Sequence, residues 1–178
     1  YDYFGWSVSI HGDYAIVGAR QEDSNSISDQ TNNSSVDSGA AYIFERNGSG
    51  VWGQTAYLKA SNLGAGDRFG YSVSINGNYA IVGAVYEASD SLGNETGATN
   101  SGAAYMFERN GSGVWTEIKK IKASNAKGTE QNGTSAGDNF GMSVAITDNG
   151  TTIVGANQEY TTVDKSGAVY IYEPANVV

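Results

Sequence analysis

The sequence predicts an all-β fold made of three copies of one antiparallel unit. Three motifs recur in the same order: a Phe-Gly segment that alternates large and small residues, then Val-Gly-Ala, then Ser-Gly-Ala. The copies begin at Phe4, Phe69 and Phe140, and these starts are 65 and 71 residues apart. A period of this size fits one supersecondary unit per repeat. We therefore expect the four-stranded antiparallel blades of a β-propeller.

The first strand of each blade is predicted to have one large face and one small face, because residues of the two sizes alternate with period two. Gly, Ser and Ala form the small face in all three copies. The large face is formed by Phe4, Trp6, Val8 and Ile10, by Phe69, Tyr71, Val73 and Ile75, and by Phe140, Met142, Val144 and Ile146. The bulky side of one sheet can nest against the small side of the next, so the pattern predicts blades stacked face to face.

The remaining strands follow in a fixed order. Strand two is apolar on both faces, as expected for a strand covered on two sides. Strand two is predicted at 14–19, 79–84 and 152–156. Strand three is predicted at 40–45, 103–108 and 168–173. Strand four follows Trp52 or Trp115 and is rich in Lys, with Lys59 at its end in the first copy and Lys119, Lys120 and Lys122 in the second. Because charged side chains keep an exposed edge from pairing with other chains, strand four is predicted to be outermost.

The three copies are predicted to form one propeller-type domain over residues 1–178, with blades at about 1–61, 67–124 and 138–173. The third copy lacks a fourth-strand segment and reaches Pro174, which cannot donate to a sheet ladder. Propellers close with about four to eight blades, so two full blades and a three-stranded third do not close a ring. Three arrangements remain open: part of a longer propeller, a ring that a homo-oligomer closes between chains, or an open stack.

Composition excludes several classes of partner and site. A formal charge of −9 and a pI near 4.4 argue against nucleic acid or an anionic membrane surface, since both reward clusters of Lys and Arg. No apolar stretch approaches the roughly 20 residues of a membrane-spanning helix, so direct membrane insertion is not expected. The chain has no Cys, which excludes disulfides and thiolate chemistry.

The motifs resemble FG-GAP repeats, the blades of integrin α-chain propellers and of many bacterial surface proteins. The resemblance rests on the Phe-Gly start, the Val-Gly-Ala end of strand two and the Gly-Ala-x-Tyr start of strand three. It implies a propeller at the cell surface or outside the cell, with a role in binding or adhesion. Calcium-binding integrin blades carry an Asp-rich loop between strands one and two. The turns in this chain are short, as at 11–13 and 76–78, so calcium is not expected there.

The loops between strands two and three differ most among the copies. They span 20–37, 85–100 and 157–165, and they leave the blades at the same end. Ser, Asn, Asp and Thr dominate them, with Tyr86 and Tyr160 as their aromatic residues. Aromatic side chains among adaptable polar ones are typical of recognition surfaces, so these loops are predicted to contact a protein or glycan on a cell surface. The alternative is that long polar loops are simply tolerated at a blade end.

Two acidic positions recur at that same end. An Asp stands two residues before each Phe-Gly, and a Glu stands three residues beyond each Val-Gly-Ala. The positions are Asp2, Glu22, Asp67, Glu87, Asp138 and Glu159. Carboxylates brought together there could bind a hard cation such as calcium. The competing interpretation is that Asp accepts backbone hydrogen bonds in the turn that enters strand one, while Glu is a solvated loop residue.

Catalysis has little support in the sequence. The single His, His11, falls in a hairpin turn at the end opposite the variable loops, so a Ser-His-Asp site is not expected. We therefore predict a non-catalytic binding module. Two alternatives stay open: a structural segment that assembles a ring between chains, and an accessory or catalytic propeller of a secreted hydrolase. Under the hydrolase alternative Glu22, Glu87 or Glu159 would carry the activity.

Overall fold

Each repeat folds into its own antiparallel sheet. The computed structural model describes residues 1–26, 29–89, 100–124, 126, 137–159 and 166–174. Within these ranges the chain forms eleven strands and no helix. That part of the chain accordingly contains no helix long and apolar enough to cross a membrane.

The strands follow one another in space as they do in sequence. Blade 1 contains β1 (Phe4–His11), β2 (Tyr14–Ala19), β3 (Ala40–Arg46) and β4 (Trp52–Leu58). Blade 2 contains β5 (Phe69–Asn76), β6 (Tyr79–Ala84), β7 (Ala103–Arg109) and β8 (Trp115–Ile121). Blade 3 contains β9 (Phe140–Ile146), β10 (Thr152–Ala156) and β11 (Ala168–Tyr172). The sheet orders β1-β2-β3-β4, β5-β6-β7-β8 and β11-β10-β9 confirm two four-stranded meanders and a three-stranded third blade.

The first core lies between blades 1 and 2. Phe69, Val73 and Ile75 on the large face of β5 pack with Ile16 and Ile43 on the small-residue side of blade 1. All five side chains are buried. The predicted nesting of a large face on a small face is therefore what joins these two blades.

The second core repeats the first one blade further along. Phe140 and Ile146 on the large face of β9 pack with Ile81 and Met106 of blade 2. Blade 2 thus uses both of its faces, the large one toward blade 1 and the small one toward blade 3. The stack has a direction, because every interface joins a small face to the large face of the following blade.

A β-bulge interrupts the side-chain alternation at the start of strand one. In blade 2 the register shifts directly after Phe69, and Gly70 has a φ of +87°, a conformation that favours glycine. Phe69 is fully buried in the core, whereas Tyr71 is half-buried outside it. Blades 1 and 3 have the same bulge. The prediction that uninterrupted alternation places Trp6, Tyr71 and Met142 on the large face is therefore wrong.

The bulge lets the Phe-Gly corner of one blade touch the backbone of the preceding blade. The Phe69 N–H donates to the Ser38 carbonyl at 2.9 Å, and Ser7 Oγ donates to the Gly70 carbonyl at 2.8 Å. A Cβ built on Gly18 would lie 2.1 Å from the Gly70 oxygen, so no larger residue fits there without a shift of the backbone. The same contacts recur between blades 2 and 3.

Candidate functional site

The loops between strands two and three leave the blades together with the start of strand one, and we call this the loop end. Backbone bonds tie the two segments together in every blade. The donor is the N–H of Gln21, Tyr86 or Gln158, and the acceptor is the carbonyl of Asp2, Asp67 or Asp138, at 3.2 to 3.3 Å. Each recurring Asp is therefore bonded to the residue just before the recurring Glu. The structure brings the two acidic positions to one end of each blade, as the strand polarity predicts.

Glu22 is buried in blade 1 and forms an ion pair with Lys59, which follows β4. Its Oε2 lies 2.8 Å from Lys59 Nζ, and its Oε1 accepts the Ser24 N–H at 3.0 Å. Lys59 Nζ also donates to Ser38 Oγ at 2.8 Å and to the Gly39 carbonyl at 2.7 Å. Burial lowers the pKa of Lys59, and the hydrogen bond and charge of Glu22 oppose that shift. The pair joins the start of the loop to the entrance of β3 and to the end of β4.

Glu87 occupies the matching place in blade 2 and is fully buried. Its Oε2 accepts a bond from Lys122 Nζ at 2.6 Å, and its Oε1 accepts bonds from Lys120 Nζ at 2.7 Å and Asn62 Nδ2 at 3.0 Å. Burial acts to raise the pKa of Glu87, but Lys122 and hydrogen bonds from Lys120, Lys122 and Ser89 lower it to about 2. Glu87 is therefore an ionised carboxylate inside the protein, held between two lysines.

Both complete blades thus contain a buried Glu–Lys pair where solvent-exposed charges were expected. The interpretation of the recurring Glu as a solvated loop residue is wrong for Glu22 and Glu87, and Glu159 of blade 3 is buried as well. The interpretation of strand-four lysines as purely exposed edge residues is wrong for Lys59 and Lys122, which are buried beside those carboxylates.

The recurring Asp has a local bonding role in blade 2. Asp67 Oδ2 accepts the Gly64 N–H at 2.9 Å, just before the chain enters β5. This is the backbone-capping role that competes with metal binding for these positions. Among the described residues, no group of three or more His, Cys, Asp or Glu side chains is arranged to hold a metal ion. Calcium binding at the recurring carboxylates stays a prediction. The ion pairs of Glu22 and Glu87 favour a role of these carboxylates in holding the fold together.

An exposed group of aromatic side chains surrounds an arginine at the loop end of blade 1. The guanidinium carbon of Arg20 lies 3.9 Å from the ring centroid of Trp6, 4.9 Å from that of Tyr3 and 5.7 Å from that of Tyr71. Trp6 and Tyr71 also contact each other, with ring centroids 5.7 Å apart. We call Tyr3, Trp6, Arg20 and Tyr71 the arginine–aromatic cluster. Tyr3 and Trp6 present about half of their surface to solvent.

Blade 2 repeats this chemistry on a smaller scale. The guanidinium carbon of Arg68 lies 4.6 Å from the ring centroid of Tyr86, which is half-buried at the start of the second loop. Tyr86 is therefore at the loop end, as predicted, beside a cation. Tyr160, its predicted counterpart in the third loop, lies outside the described residues.

The order of motifs also matches a known family. A family model described as FG-GAP repeat matches residues 1–44, 52–107 and 115–172. The chain belongs to the FG-GAP repeat family. A comparison with curated proteins finds no match. The second and third matched FG-GAP segments each begin at the fourth strand of one blade and end within the third strand of the next.

Sequence reasoning missed the lysine half of the ion pairs, although a signal for it was present. In both complete FG-GAP blades a Lys precedes Ala-Ser directly after strand four, 37 residues beyond Glu22 and 35 residues beyond Glu87. Recurrence of a Glu and a Lys at nearly equal separation indicates a contact made once per blade. The arginine–aromatic cluster had no comparable signal, because Val85 and Asn157 replace Arg20 in the other copies.

Proposed function

We propose that this FG-GAP chain is a non-catalytic binding module that acts at the cell surface or outside the cell, and that its loop end contacts a protein or a glycan. The observation that carries the proposal is the exposed arginine–aromatic cluster beside the variable loops. Trp, Tyr and Arg are the residues that most often dominate binding energy at interfaces. Flat aromatic rings also supply contact area at a low cost in conformational entropy.

The first loop supports this proposal because its fold holds the surface in place. The Asp37 N–H donates to Asp23 Oδ1 at 2.7 Å, and Gln21 Nε2 donates to Asp37 Oδ1 at 2.8 Å. Below these bonds lies the buried pair of Glu22 and Lys59. These contacts join the two ends of the loop to each other and to the residue that follows β4, so the side chains there have little freedom to lose on binding.

The proposal that the module is non-catalytic is supported by the surroundings of the recurring Glu residues and of the single His. The carboxylates of Glu22 and Glu87, which a hydrolase would need as acid or base, are each engaged by a lysine inside the protein. His11 is exposed where β1 ends, at the turn end of the blade. FG-GAP repeats are also typical of extracellular proteins, which fits a surface role.

The proposal is tested by measuring binding of the labelled chain to a glycan array and to a panel of purified cell-surface and matrix proteins. We expect Trp6→Ala and Tyr86→Ala each to weaken binding by about tenfold or more, which is the loss typical of an interface hot spot. Melting temperatures should change little, because neither side chain lies in the two cores.

Trp52→Ala is the matched control. Trp52 is also exposed and lies near an arginine, with the Arg46 guanidinium carbon 5.8 Å from its ring centroid, but it starts β4 at the turn end. This variant should bind like the unaltered chain. A recognition surface at the loop end would be contradicted if all three variants bound like the unaltered chain. It would also be contradicted if the Trp52 variant alone lost binding.

A further inference from the structure

The large face of blade 1 is exposed, although its copies in the other blades form the two cores. We call Phe4, Val8, Ile10, Tyr42 and Phe44 the Phe4 face. Phe4, Val8 and Ile10 are 57%, 68% and 67% exposed, whereas their counterparts in blade 2, Phe69, Val73 and Ile75, are 0%, 8% and 3% exposed. The exposed positions nevertheless keep the same types of apolar residue as the buried ones.

The small-residue face of blade 3 is exposed in the same way. We call Ser143, Ile153, Gly155, Val169 and Ile171 the Ile171 face. Ile153, Val169 and Ile171 are 42%, 64% and 66% exposed, whereas their counterparts in blade 1, Ile16, Ala41 and Ile43, are all 0% exposed. Repeat proteins that end in solvent normally carry polar outer faces. The Phe4 face and the Ile171 face instead keep exposed apolar side chains.

The Ile171 face also contains an open socket for a Phe-Gly corner. Residues that line a cavity of about 460 Å³ include Ser143, Gly155, Gly167 and Ala168. In blade 1 the matching residues, Ser7, Gly18, Gly39 and Ala40, are those that contact Phe69 and Gly70 of the next blade. The cavity is therefore the third copy of a site that is filled twice within the chain.

We propose that a second copy of this chain docks head to tail, with its Phe4 face on the Ile171 face and its Phe4-Gly5 corner in the socket. The internal interfaces assign the contacts: Ser143 Oγ donates to the second copy's Gly5 carbonyl, as Ser7 does to Gly70 and Ser72 to Gly141. The Ser166 carbonyl accepts the second copy's Phe4 N–H, as Ser38 and Ser101 accept those of Phe69 and Phe140.

This self-association goes beyond partner binding at the loop end and rests on the two outer faces of the stack. A head-to-tail interface closes into a ring when its rotation allows. Two copies of residues 1–178 supply six blades, which falls within the range of about four to eight blades in closed propellers. We therefore expect a closed dimer in which each chain gives one face and receives the other.

Two positions distinguish this interface from the internal ones. Ser9 and Ser74 accept the N–H of Ile75 and Ile146, whereas Ala145 stands at the third matching position and has no hydroxyl. Val169 stands where the other blades have Ala41 and Ala104. The contact between copies thus lacks one hydrogen bond that both internal interfaces make. We therefore expect a weak association, in which the fraction of paired chains rises with protein concentration.

The first measurement is the mass of the 178-residue chain in solution by light scattering and sedimentation, over about 1 to 100 µM. The expected result is a rise toward the mass of two chains. A strict monomer over the whole range would overturn the proposal.

Gly155→Ala tests the socket itself. In the single chain the added methyl would meet Ser143 Oγ at 2.5 Å, and Ser143 is an exposed side chain that can rotate away. In the docked pair it would meet the carbonyl of the incoming Gly5, as a Cβ on Gly83 would meet the Gly141 oxygen at 2.1 Å. We expect Gly155→Ala to keep its strand signal in circular dichroism and to dimerise at least tenfold more weakly.

The comparison with Gly83→Ala shows whether the effect belongs to docking. That variant places the same methyl in a filled interface and should lower the melting temperature of the single chain. Unchanged dimerisation of a folded Gly155→Ala chain would overturn the proposed contact.

Complementation between two further variants tests the head-to-tail direction. Ile10→Lys spoils the Phe4 face, and Ile171→Lys spoils the Ile171 face, so each variant alone should stay monomeric. A mixture should form a one-to-one pair, because it still contains one intact face of each kind. Val51→Lys changes another exposed apolar residue, outside both faces, and should dimerise normally.

Each alternative has a distinct outcome. If two Phe4 faces paired with each other, Ile171→Lys would still dimerise and the proposal would fail. A mixture of two folded variants that stayed monomeric would also overturn it. Loss of dimerisation in Val51→Lys would show general stickiness instead of a specific interface, again against the proposal.

Discussion

Replacing Lys59 by Met should be among the most damaging single changes in blade 1. Lys59 Nζ makes three polar contacts, with Glu22, Ser38 and the Gly39 carbonyl, and within the described residues it is the one cation in ion-pair distance of Glu22. Met has a similar length but no charge. The change leaves the Glu22 carboxylate buried without its counter-charge, although the Ser24 N–H still donates to it at 3.0 Å.

The expected loss follows from the burial of the pair. Removing one partner of a buried ion pair costs about 3–5 kcal/mol, because the remaining charge has lost both water and its counter-charge. For a domain of this size each kcal/mol corresponds to about 2–4 °C in melting temperature, so Lys59→Met should melt roughly 6–20 °C lower. Calorimetry and urea unfolding followed by tryptophan fluorescence measure the two quantities.

Two controls separate charge from packing. Adding Glu22→Gln to Lys59→Met removes the stranded charge and should restore a large part of the lost stability. Lys122→Met in blade 2 should cost less than Lys59→Met, because Lys120 remains 2.7 Å from the Glu87 carboxylate. The reasoning is refuted if Lys59→Met and Lys122→Met cost the same, or if the double variant is as unstable as the single one.

Two further predictions concern acid and calcium. The pKa of Glu87 is lowered from 4.5 to about 2 in the folded chain, so its stabilising contribution is complete above the unfolded pKa and is lost as the pH falls through the folded one. That contribution amounts to about 3 kcal/mol, and Glu87→Gln should flatten the dependence of urea unfolding on pH between about 5 and 2; an unchanged slope would contradict it. Melting should be the same with calcium as with a chelator, because Glu22 and Glu87 are already paired with lysines. A calcium-dependent rise of several degrees would instead support the recurring carboxylates as ligands.

The strands and their packing were predictable because the sequence states them three times. Within one copy, the alternation around Val73 fits any strand with one buried face. Three copies in phase show that the large and small faces are constant, and this is what predicts that the large face of one blade packs on the small face of its neighbour, as Phe69 does on blade 1. Turn chemistry and the position of Pro174 were enough to predict a third blade of three strands.

The bulge and the buried charges were not predictable from local pattern. The alternation of large and small residues in Phe69-Gly70-Tyr71 is the same whether or not an extra residue interrupts the hydrogen-bond ladder. The departure of Tyr71 from the core was therefore missed. Burial of Glu87 depends on a lysine 35 residues away, and a charged residue with no visible partner is normally exposed. The bulge and the burial of Glu87 both depend on contacts between segments that meet only once the sheet has formed.

The direction of the blade stack links the proposed binding surface to the proposed self-association. Within the chain, blades 1 and 2 each receive the Phe-Gly corner of the following blade, and the loops between strands two and three leave at one end. A second copy docked by the same contacts therefore places its own loop end on the same side as the first. Two arginine–aromatic clusters would then face the same partner surface, and a weak contact made twice from one rigid body binds an extended surface far more tightly than either contact alone. Such an arrangement favours partners that repeat, such as glycan chains or arrayed surface proteins, over a single small ligand.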